Sequence, residues 1–594
     1  MSTSPLTEET NLTSFTITSD GQEIPDTYEV LSIKTHSELN KIADAEIILI
    51  DGDPSTQEFN VTNSKVFMPG AKIEIKLGYH SKDETVFKGI VVKQQLKIDH
   101  DSGSLLHVIC KDEAIKMTIN RQNAIFVKKT DSAVIESLIK DAGLSAEVTS
   151  TKIEYNELVQ YYVTPWDFLM SRAEVNGMVT YTNNGTVVVE KPSIDGSPEL
   201  VLTYGQDILD FDGELDATFQ YAESKGSAWD MKTQKMIEAN ATEPTVNKQG
   251  NISGKKLADV LGAGTSIQNT AGNINNDSIK EWADAALIKS RLSRFKGHIT
   301  FQGSDKATVN SLIELKGLSD RFDGNAFISG VTHTLAEGNW LTEVHIGLSS
   351  FWFVESHHVA APLASGLLPG IRGLQTGIVK KTYEDPDNEF RVQVDIPILG
   401  EQAEGIWARL STFYASNTFG TFFMPEVGDE VILGFMNDDP RFPIILGSVY
   451  SSKLPASETP DEQNTIKSIL TKSKLQLKFD DEKKIITVAT PAGNTVTFND
   501  DESNITLTDQ NNNKIEMNSS GISLDSPGSI TIKATEEVSI KAATVSVTAD
   551  QSVDISGASV TMSGDMSTSI KGGAECSVSS DGNLTAKGLM VMIN

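Results

Sequence analysis

The stretch from Ile522 onward constrains the fold most. Apolar pairs recur there as a two-residue alternation inside a longer period: Ile522/Leu524, Ile530/Ile532, Val538/Ile540, Val545/Val547, Val553/Ile555 and Val560/Met562. The beat continues through Ile570, Cys576/Val578 and Leu584, with Ser, Thr, Ala, Gly, Asp and Lys between the pairs. The step is eight residues, or seven in two places. Side chains two apart on a strand share a face. Each unit therefore reads as a very short strand with two inward groups, then a turn. One octad supplies only one side of a coil, and a single-chain β-helix needs more residues per circuit. Three chains wound about one axis satisfy the pattern, because each inward pair meets two copies of itself and every strand edge is covered. A single-chain solenoid and an all-β sandwich are the alternatives, but no second, longer period appears.

A chain of 594 residues is long enough for several domains. The formal charge of −31 and pI near 4.7 argue against nucleic acid, whose phosphates need a basic surface, and against anionic membranes. Cys110 and Cys576 lie far apart without metal-ligand neighbours and read as small apolar fillers. Met1 to Asn11 is polar and acidic, with neither a basic n-region nor an apolar h-region. No apolar run approaches the roughly 20 residues that span a bilayer. The expectation is synthesis in the cytoplasm without a signal peptide.

The first hundred residues read as strands of a barrel or sandwich: Phe15–Ile17, Tyr28–Ile33, Ala45–Ile50, Lys72–Lys76, Val86–Lys93 and Leu105–Cys110. Helical spacing follows over Asp131–Ala142. Thr164 as N-cap, Pro165 at the first helical position and Gly177 beyond the end predict a second helix. Thr242–Asn276 reads as loop with one short helix near Leu257–Leu261. A third helix begins at Asn276 or Asp277, carries the stripe Ile279, Trp282, Ala283, Ala286 and Leu287, and is expected to stop at Gly297.

The N-terminal half carries an internal echo. Ile73-Glu74-Ile75-Lys76 is followed by Gly89 and later His107. Ile313-Glu314-Leu315-Lys316 is followed by Gly330 and later His345. A duplication would place two similar barrels in one chain and six around a trimer, a pseudo-hexagonal ring on a threefold object. The adjacent His357 and His358 have no third ligand nearby and read as linker residues.

Gln375 to Tyr450 holds five strands with Asp385-Pro386-Asp387-Asn388 and Asn437-Asp438-Asp439-Pro440 as turns, which suits an OB-type Greek-key barrel. The acidic clusters lack EF-hand spacing and read as turn chemistry. No basic, aromatic-lined groove for nucleic acid is apparent. Ser365-Gly366-Leu367-Leu368-Pro369-Gly370-Ile371, Trp407-Ala408-Arg409, Phe422-Phe423-Met424-Pro425-Glu426-Val427-Gly428-Asp429-Glu430-Val431 and Asp439-Pro440-Arg441-Phe442-Pro443 resemble the OB module of VgrG-type spike proteins of contractile injection systems. Thr164-Pro165-Trp166-Asp167-Phe168-Leu169 with Gly177 resembles the helix of that family's hub, and Phe327–His333 its last hub strands. The resemblance covers nearly the whole chain. It implies a homotrimer with a tube-capping hub, an OB collar and a β-helical needle, in type VI secretion, extracellular injection or phage-tail-like particles.

The expected fold is mainly β with minor α: a hub of two barrel-like modules with helices (1–360), a connector (361–374), an OB-fold collar (375–450), a linker (451–466), a needle neck (467–520) and an octad-repeat trimeric β-helix (521–594). No nucleophile elbow, zinc-protease helix or phosphate loop appears. The interval between collar and neck is too short for a catalytic domain. The reading is a non-enzymatic spike without cofactor or metal. The alternatives are a trimeric tail fibre or adhesin, and a carbohydrate-active β-helix enzyme, against which the lack of aromatics beyond Phe498 counts. Gly588, Leu589, Met590, Val591, Met592, Ile593 and Asn594 form an apolar ending without a charged tail, expected to leave open strand edges that a tip protein would cover. The resemblance identifies that cap as a PAAR-repeat protein. It also implies a hexameric tube protein, baseplate proteins and effector cargo as partners, incorporation into the particle, ejection on contraction, and contact with a target membrane only by puncture.

Overall fold

The computed structural model describes residues 3–7, 9–101, 103–400 and 404–593, in two compact units, Met1–Ser448 and Val449–Asn594. The chain is mainly β with minor helix. The first unit opens with β1 (Thr13–Ser19), β2 (Gln22–Glu23), β3 (Val30–Glu38), β4 (Asp44–Ile50), β5 (Lys72–Tyr79), β6 (Lys82–Asp99) and β7 (Gly103–Lys111). Their sequences alternate because one face is buried. In β4, Ala45, Ile47 and Leu49 are buried, whereas Asp44, Glu46 and Ile48 reach solvent. Next come β8 (Gln122–Thr130), α1 (Asp131–Asp141), β9 (Ser145–Val148), β10 (Glu154–Val163), α2 (Pro165–Val175), β11 (Val179–Asn183) and β12 (Thr186–Glu190). Both helices start where their caps dictate. The Thr130 hydroxyl accepts from the Ala133 N–H, and the Thr164 hydroxyl from the Asp167 N–H, with Pro165 opening α2.

The chain continues with β13 (Leu200–Thr203), β14 (Ile208–Leu215), β15 (Glu223–Asp230), β16 (Lys235–Asn240), α3 (Gly254–Leu261), β17 (Thr265–Thr270), α4 (Asn276–Leu292), β18 (Phe295–Gln302), β19 (Ser311–Lys316), β20 (Gly324–Ala336) and β21 (Asn339–Ile346). Two expectations need correction here. Thr242–Asn276 is not all loop and short helix, since β17 adds in parallel to β15. Its sequence, Thr-Ser-Ile-Gln-Asn-Thr, has one large apolar residue and gives no periodic signal. The third helix stops at Leu292, capped by Ser293, rather than at Gly297. Gly297 lies inside β18 opposite Gly213, where a Cβ would come within 2.0 Å of the Asp212 carbonyl oxygen. The glycine permits close strand approach and does not terminate a helix.

The two halves share one sheet, thirteen-stranded among the described residues, in the order β14-β18-β21-β20-β3-β4-β7-β6-β5-β1-β2. β19 pairs with the start of β20, and β13 with β19. The two halves are thus joined edge to edge through β3 and β20, from Ser32 opposite Ala336 to Glu38 opposite Gly330. Two cores lie along it, one around Ile33, Ile47 and Val108 that also takes in Leu335 and Trp340, the other around Ile299, Val331 and Val344. The order β3-β4-β7-β6-β5 recurs as β14-β18-β21-β20-β19. Bulges recur with it, at Leu31 and Leu209 and again at Val92 and Ser329. The residues of the sequence echo are not equivalent, however. Gly89 lies opposite Ile73, but Ala326 lies opposite Ile313. Aligned on the bulges, Gly330 corresponds to Lys93 and His345 to Ile109. Gly330 answers a local need, since a Cβ there would sit 3.3 Å from both Glu38 and His345.

The sheet face turned away from the two cores carries four histidines, each beside a carboxylate: His36–Glu38 (3.0 Å), His107–Glu46 (2.7 Å), His298–Asp210 (3.3 Å) and His345–Glu343 (3.1 Å). Burial raises the pKa of Glu38, but hydrogen bonds from His36 and Lys41 outweigh it and hold the group at about 2. A carboxylate whose pKa falls on folding contributes stability above its unfolded value, and that contribution is lost as pH falls through the folded value. Glu38 should therefore stabilise the first unit above pH 4.5 and lose this effect between pH 4.5 and about 2. After allowance for its partial exposure, Glu38→Gln is expected to cost on the order of 1–2 kcal/mol near pH 6 and almost nothing near pH 2. Denaturant melts of both forms across that range test it. A pH-independent difference would reject the assignment.

The last part of this unit is a closed barrel of β22 (Gln375–Lys381), β23 (Val392–Asp395), β24 (Ile406–Leu410), β25 (Glu430–Phe435) and β26 (Pro443–Ser448), in the order β22-β23-β24-β26-β25. Val379, Val392, Val394, Ala408, Val431, Leu433 and Ile445 fill it.

Candidate functional site

The second unit begins as a meander: β27 (Ile466–Leu470), β28 (Gln476–Asp480), β29 (Ile485–Ala489), β30 (Thr495–Asn499), β31 (Asn504–Thr508), β32 (Lys514–Asn518) and β33 (Gly521–Asp525), each antiparallel to the next. Turns rich in Asp, Asn and Gly, such as Thr490-Pro491-Ala492-Gly493-Asn494, join them. Every strand is five residues long, and its second and fourth side chains share a face. The register stacks those positions into two apolar columns. One runs Ile469-Leu477-Val488-Val496-Leu507-Ile515-Leu524, the other Phe479-Ile486-Phe498-Ile505-Met517-Ile522. The central column of the opposite face is Ser468-Lys478-Thr487-Thr497-Thr506-Glu516-Ser523.

Burial runs against this chemistry. Within one chain Ile486 and Val488 are exposed, while Thr487 between them is half-buried. Among the described residues, this unit contains no buried side chain. A two-sided sheet with one apolar face bare lacks a core of its own. Sequence reading placed strands here but did not identify the bare face. The alternation was visible, but which side meets a partner depends on pairing register.

Beyond Asp525 no strand is formed within the chain among the described residues. The octads nevertheless repeat one environment. Ile530, Val538, Val545, Val553 and Val560 are 53–55% exposed, and their partners Ile532, Ile540, Val547, Ile555 and Met562 are 68–73% exposed. Backbone groups that repeat in extended form without a ladder need donors and acceptors from elsewhere. Cys576 shares this exposure, whereas Cys110 is buried in the first unit and its thiol is pushed up to about 12 by burial.

Gly588 to Ile593 lie at the end of this series, and Asn594 lies outside the described residues. Leu589, Met590, Met592 and Ile593 are almost fully exposed and Val591 is about half exposed at 52%. The closed barrel adds a further apolar surface. The connection from β24 to β25 exposes Phe413, Phe419, Phe422 and Phe423. It carries no Lys or Arg between Ser411 and Asp429, so it offers nothing to phosphate. The Asp385 turn is closed by its own chain. The carboxylate accepts from the Arg391 guanidinium at 2.6 Å, which holds its pKa well below the usual range, and from the backbone N–H of Asp387 and Glu389. His357 stacks on Phe353 with ring centroids 4.1 Å apart. Among the described residues no group of three or more His, Cys, Asp or Glu is placed to hold a metal, and no helix is long and apolar enough to cross a membrane.

Comparison with known proteins gives two family matches. Residues 9–337 match the Alg8 N-terminal domain, and residues 375–450 match the type VI secretion system/phage-baseplate injector OB domain. The type VI secretion system spike protein VgrG1c of Pseudomonas aeruginosa is 29% identical over 119 residues, covering 18% of this chain and 16% of that protein. The actin cross-linking toxin VgrG1 of Vibrio cholerae is 32% identical over 83 residues, covering 13% and 8%. This chain thus spans a small part of the length of the relatives it matches. The 43 kDa tail protein of prophage MuSo2 from Shewanella oneidensis is similar with 12% identity and a TM-score of 0.42, over 57% of this chain and 99% of that one.

Proposed function

The chain belongs to the Alg8 N-terminal domain family and is a VgrG-type spike protein of a contractile injection system, and from this we propose that it works as a homotrimer, non-enzymatically, with its second unit as an intertwined needle. The observation that carries the proposal is the bare apolar face of that unit. Thirteen large apolar side chains in two columns, followed by the octads, have no cover within one chain. Two further copies cover them by symmetry, since a threefold axis brings each column against its own repeats. Each side chain that goes from half-exposed to buried contributes on the order of 1 kcal/mol. The same arrangement closes the octad ladders between chains.

On this reading the segment Gly588–Asn594 receives a PAAR-like tip protein by β-augmentation. The hub caps a hexameric tube, baseplate proteins surround it, and effector cargo travels with the spike. The chain would be made in the bacterial cytoplasm, built into the particle and ejected on contraction. Light scattering on the purified full chain tests the trimer directly, with a mass three times that of one chain as the expected result. Wound chains must unthread to separate, so the trimer should also persist in SDS at room temperature. A folded, soluble monomer would remove the basis of the proposal.

A further inference from the structure

We infer that a cavity between the two cores of the first unit is a binding site for a small, uncharged, hydroxyl-bearing molecule of monosaccharide size or smaller. The cavity follows from the way the sheet is shared. One wall is formed across four neighbouring strands, by Val331 and His333 of β20, Thr35 of β3, Ala43 just before β4 and Asp112 just after β7. Val331 belongs to one core and Ala43 to the other, so the space lies where the two cores meet. The β11–β12 turn, β6 and the connection from β18 to β19 close its other sides. Its volume is about 220 Å³, larger than the roughly 150 Å³ that holds a benzene ring. Small-molecule sites favour junctions of this kind. The site lies within one chain, so it stands apart from the trimeric reading above.

Two polar groups on that wall lack partners. Thr35 and His333 lie directly opposite each other on β3 and β20 and are only 3% and 6% exposed. Among the described residues, nothing hydrogen-bonds to the Thr35 hydroxyl or to His333 Nε2, and neither atom is sealed in by protein. The imidazole is held from its other side. Its Nδ1 lies 2.9 Å from Thr342 Oγ1, which accepts from the Ser304 N–H at 3.0 Å. Trp340 packs beside the ring, with centroids 5.7 Å apart. The free nitrogen is therefore fixed in place. Polar groups this deep cost free energy unless something in the cavity meets them.

A ligand hydroxyl suits both atoms, because it donates and accepts. It meets the Thr35 hydroxyl in either sense and Nε2 in either tautomer. Burial lowers the pKa of His333 to about 4, so the ring is neutral near pH 7. Charge on the ligand is opposed for both signs. An anion would face the carboxylates of Asp112 and Asp305, and Lys88 at the rim is engaged by Glu74 at 3.3 Å. A cation gains little from the wall. Asp112 already accepts from the N–H of Ala114 and of Gly185, at 2.9 and 3.0 Å, and burial raises its pKa toward the neutral form. Asp305 lies at the exposed rim, where water screens it.

Saturation-transfer NMR on the full chain tests the site, with glucose as the probe and glucuronate as its anionic counterpart. Glucose should give a saturable signal, and glucuronate should bind about tenfold more weakly or worse. Thr35→Val keeps the side-chain shape and removes the hydroxyl, and should weaken glucose about tenfold. Thr35→Ser restores the hydroxyl and should bind within about twofold of the natural chain. Absence of a saturable glucose signal overturns the site. So does equal binding of glucuronate, or glucose binding that ignores Thr35→Val. If Thr35→Val disturbs folding, an experimental structure of the natural chain in glucose decides. A hexose against Thr35 and His333 supports the site, and ordered water alone in the cavity overturns it.

Discussion

A spike carrying Phe479→Asp and Phe498→Asp is expected to run as a monomer. Both residues lie in one apolar column of the meander, on β28 and β30 and on the same face, with Ile486 of β29 between them. In a trimer that face is the inside, so three copies would bring six carboxylates into an apolar interior. Each unpaired buried charge costs several kcal/mol, well beyond the roughly 1–3 kcal/mol that each phenylalanine supplies. Lys478→Asp, on the opposite face, should leave the trimer intact, because in the trimer that column would be the outer one. Light scattering reads the mass, and near-UV circular dichroism confirms that hub and barrel stay folded with their own cores. A persistent trimer in the double variant would mean that this face is not the one that joins the chains.

Removal of Gly588 to Asn594 should abolish retention of the tip protein and leave the trimer whole. The segment presents Leu589, Met590, Met592 and Ile593 to solvent within one chain and contributes no buried contact among the described residues. Three copies would offer an apolar platform and free backbone groups, to which a small β-rich cap adds as a further layer. The meander and the upstream octads hold most of the apolar surface, so the loss of seven residues should not loosen the chains. Co-expression of spike and cap followed by pull-down on the spike gives the result. A cap retained at unchanged affinity by the shortened chain would place the platform elsewhere. A receptor-binding phenotype of the same end, without a cap, would favour the tail-fibre reading.

Much of the architecture was legible in the sequence because it follows from local rules. Caps start helices wherever the chain goes, so Thr164, Pro165 and Asp167 marked α2 without tertiary knowledge. The β-barrel strands were visible because alternating apolar residues and Asp/Gly turns are short-range signals. The octad spacing by itself argued against a self-contained core, with a single-chain solenoid and a sandwich as the alternatives. That is a statement about residues per circuit, and it agrees with the absence of buried side chains among the described residues of the second unit.

What only the tertiary structure decided was long-range pairing. No local pattern says that β3 meets β20, nearly three hundred residues later, because an edge strand and a joined strand carry the same alternation. The echo misled at Gly89 and Gly330 for a related reason. Short strands resemble each other by chance, and equivalence is set by bulges and partners that lie outside the strand. Gly297 read as a helix stop, although close contact with the Asp212 backbone is what requires it. β17 was silent because a partly exposed strand needs few apolar residues. The sequence by itself determined the strands that alternate clearly, such as β4 and those of the closed barrel, and the helices that carry caps. The fold decided which strand faces and edges remain uncovered, because burial depends on neighbours that the chain brings together only when it folds.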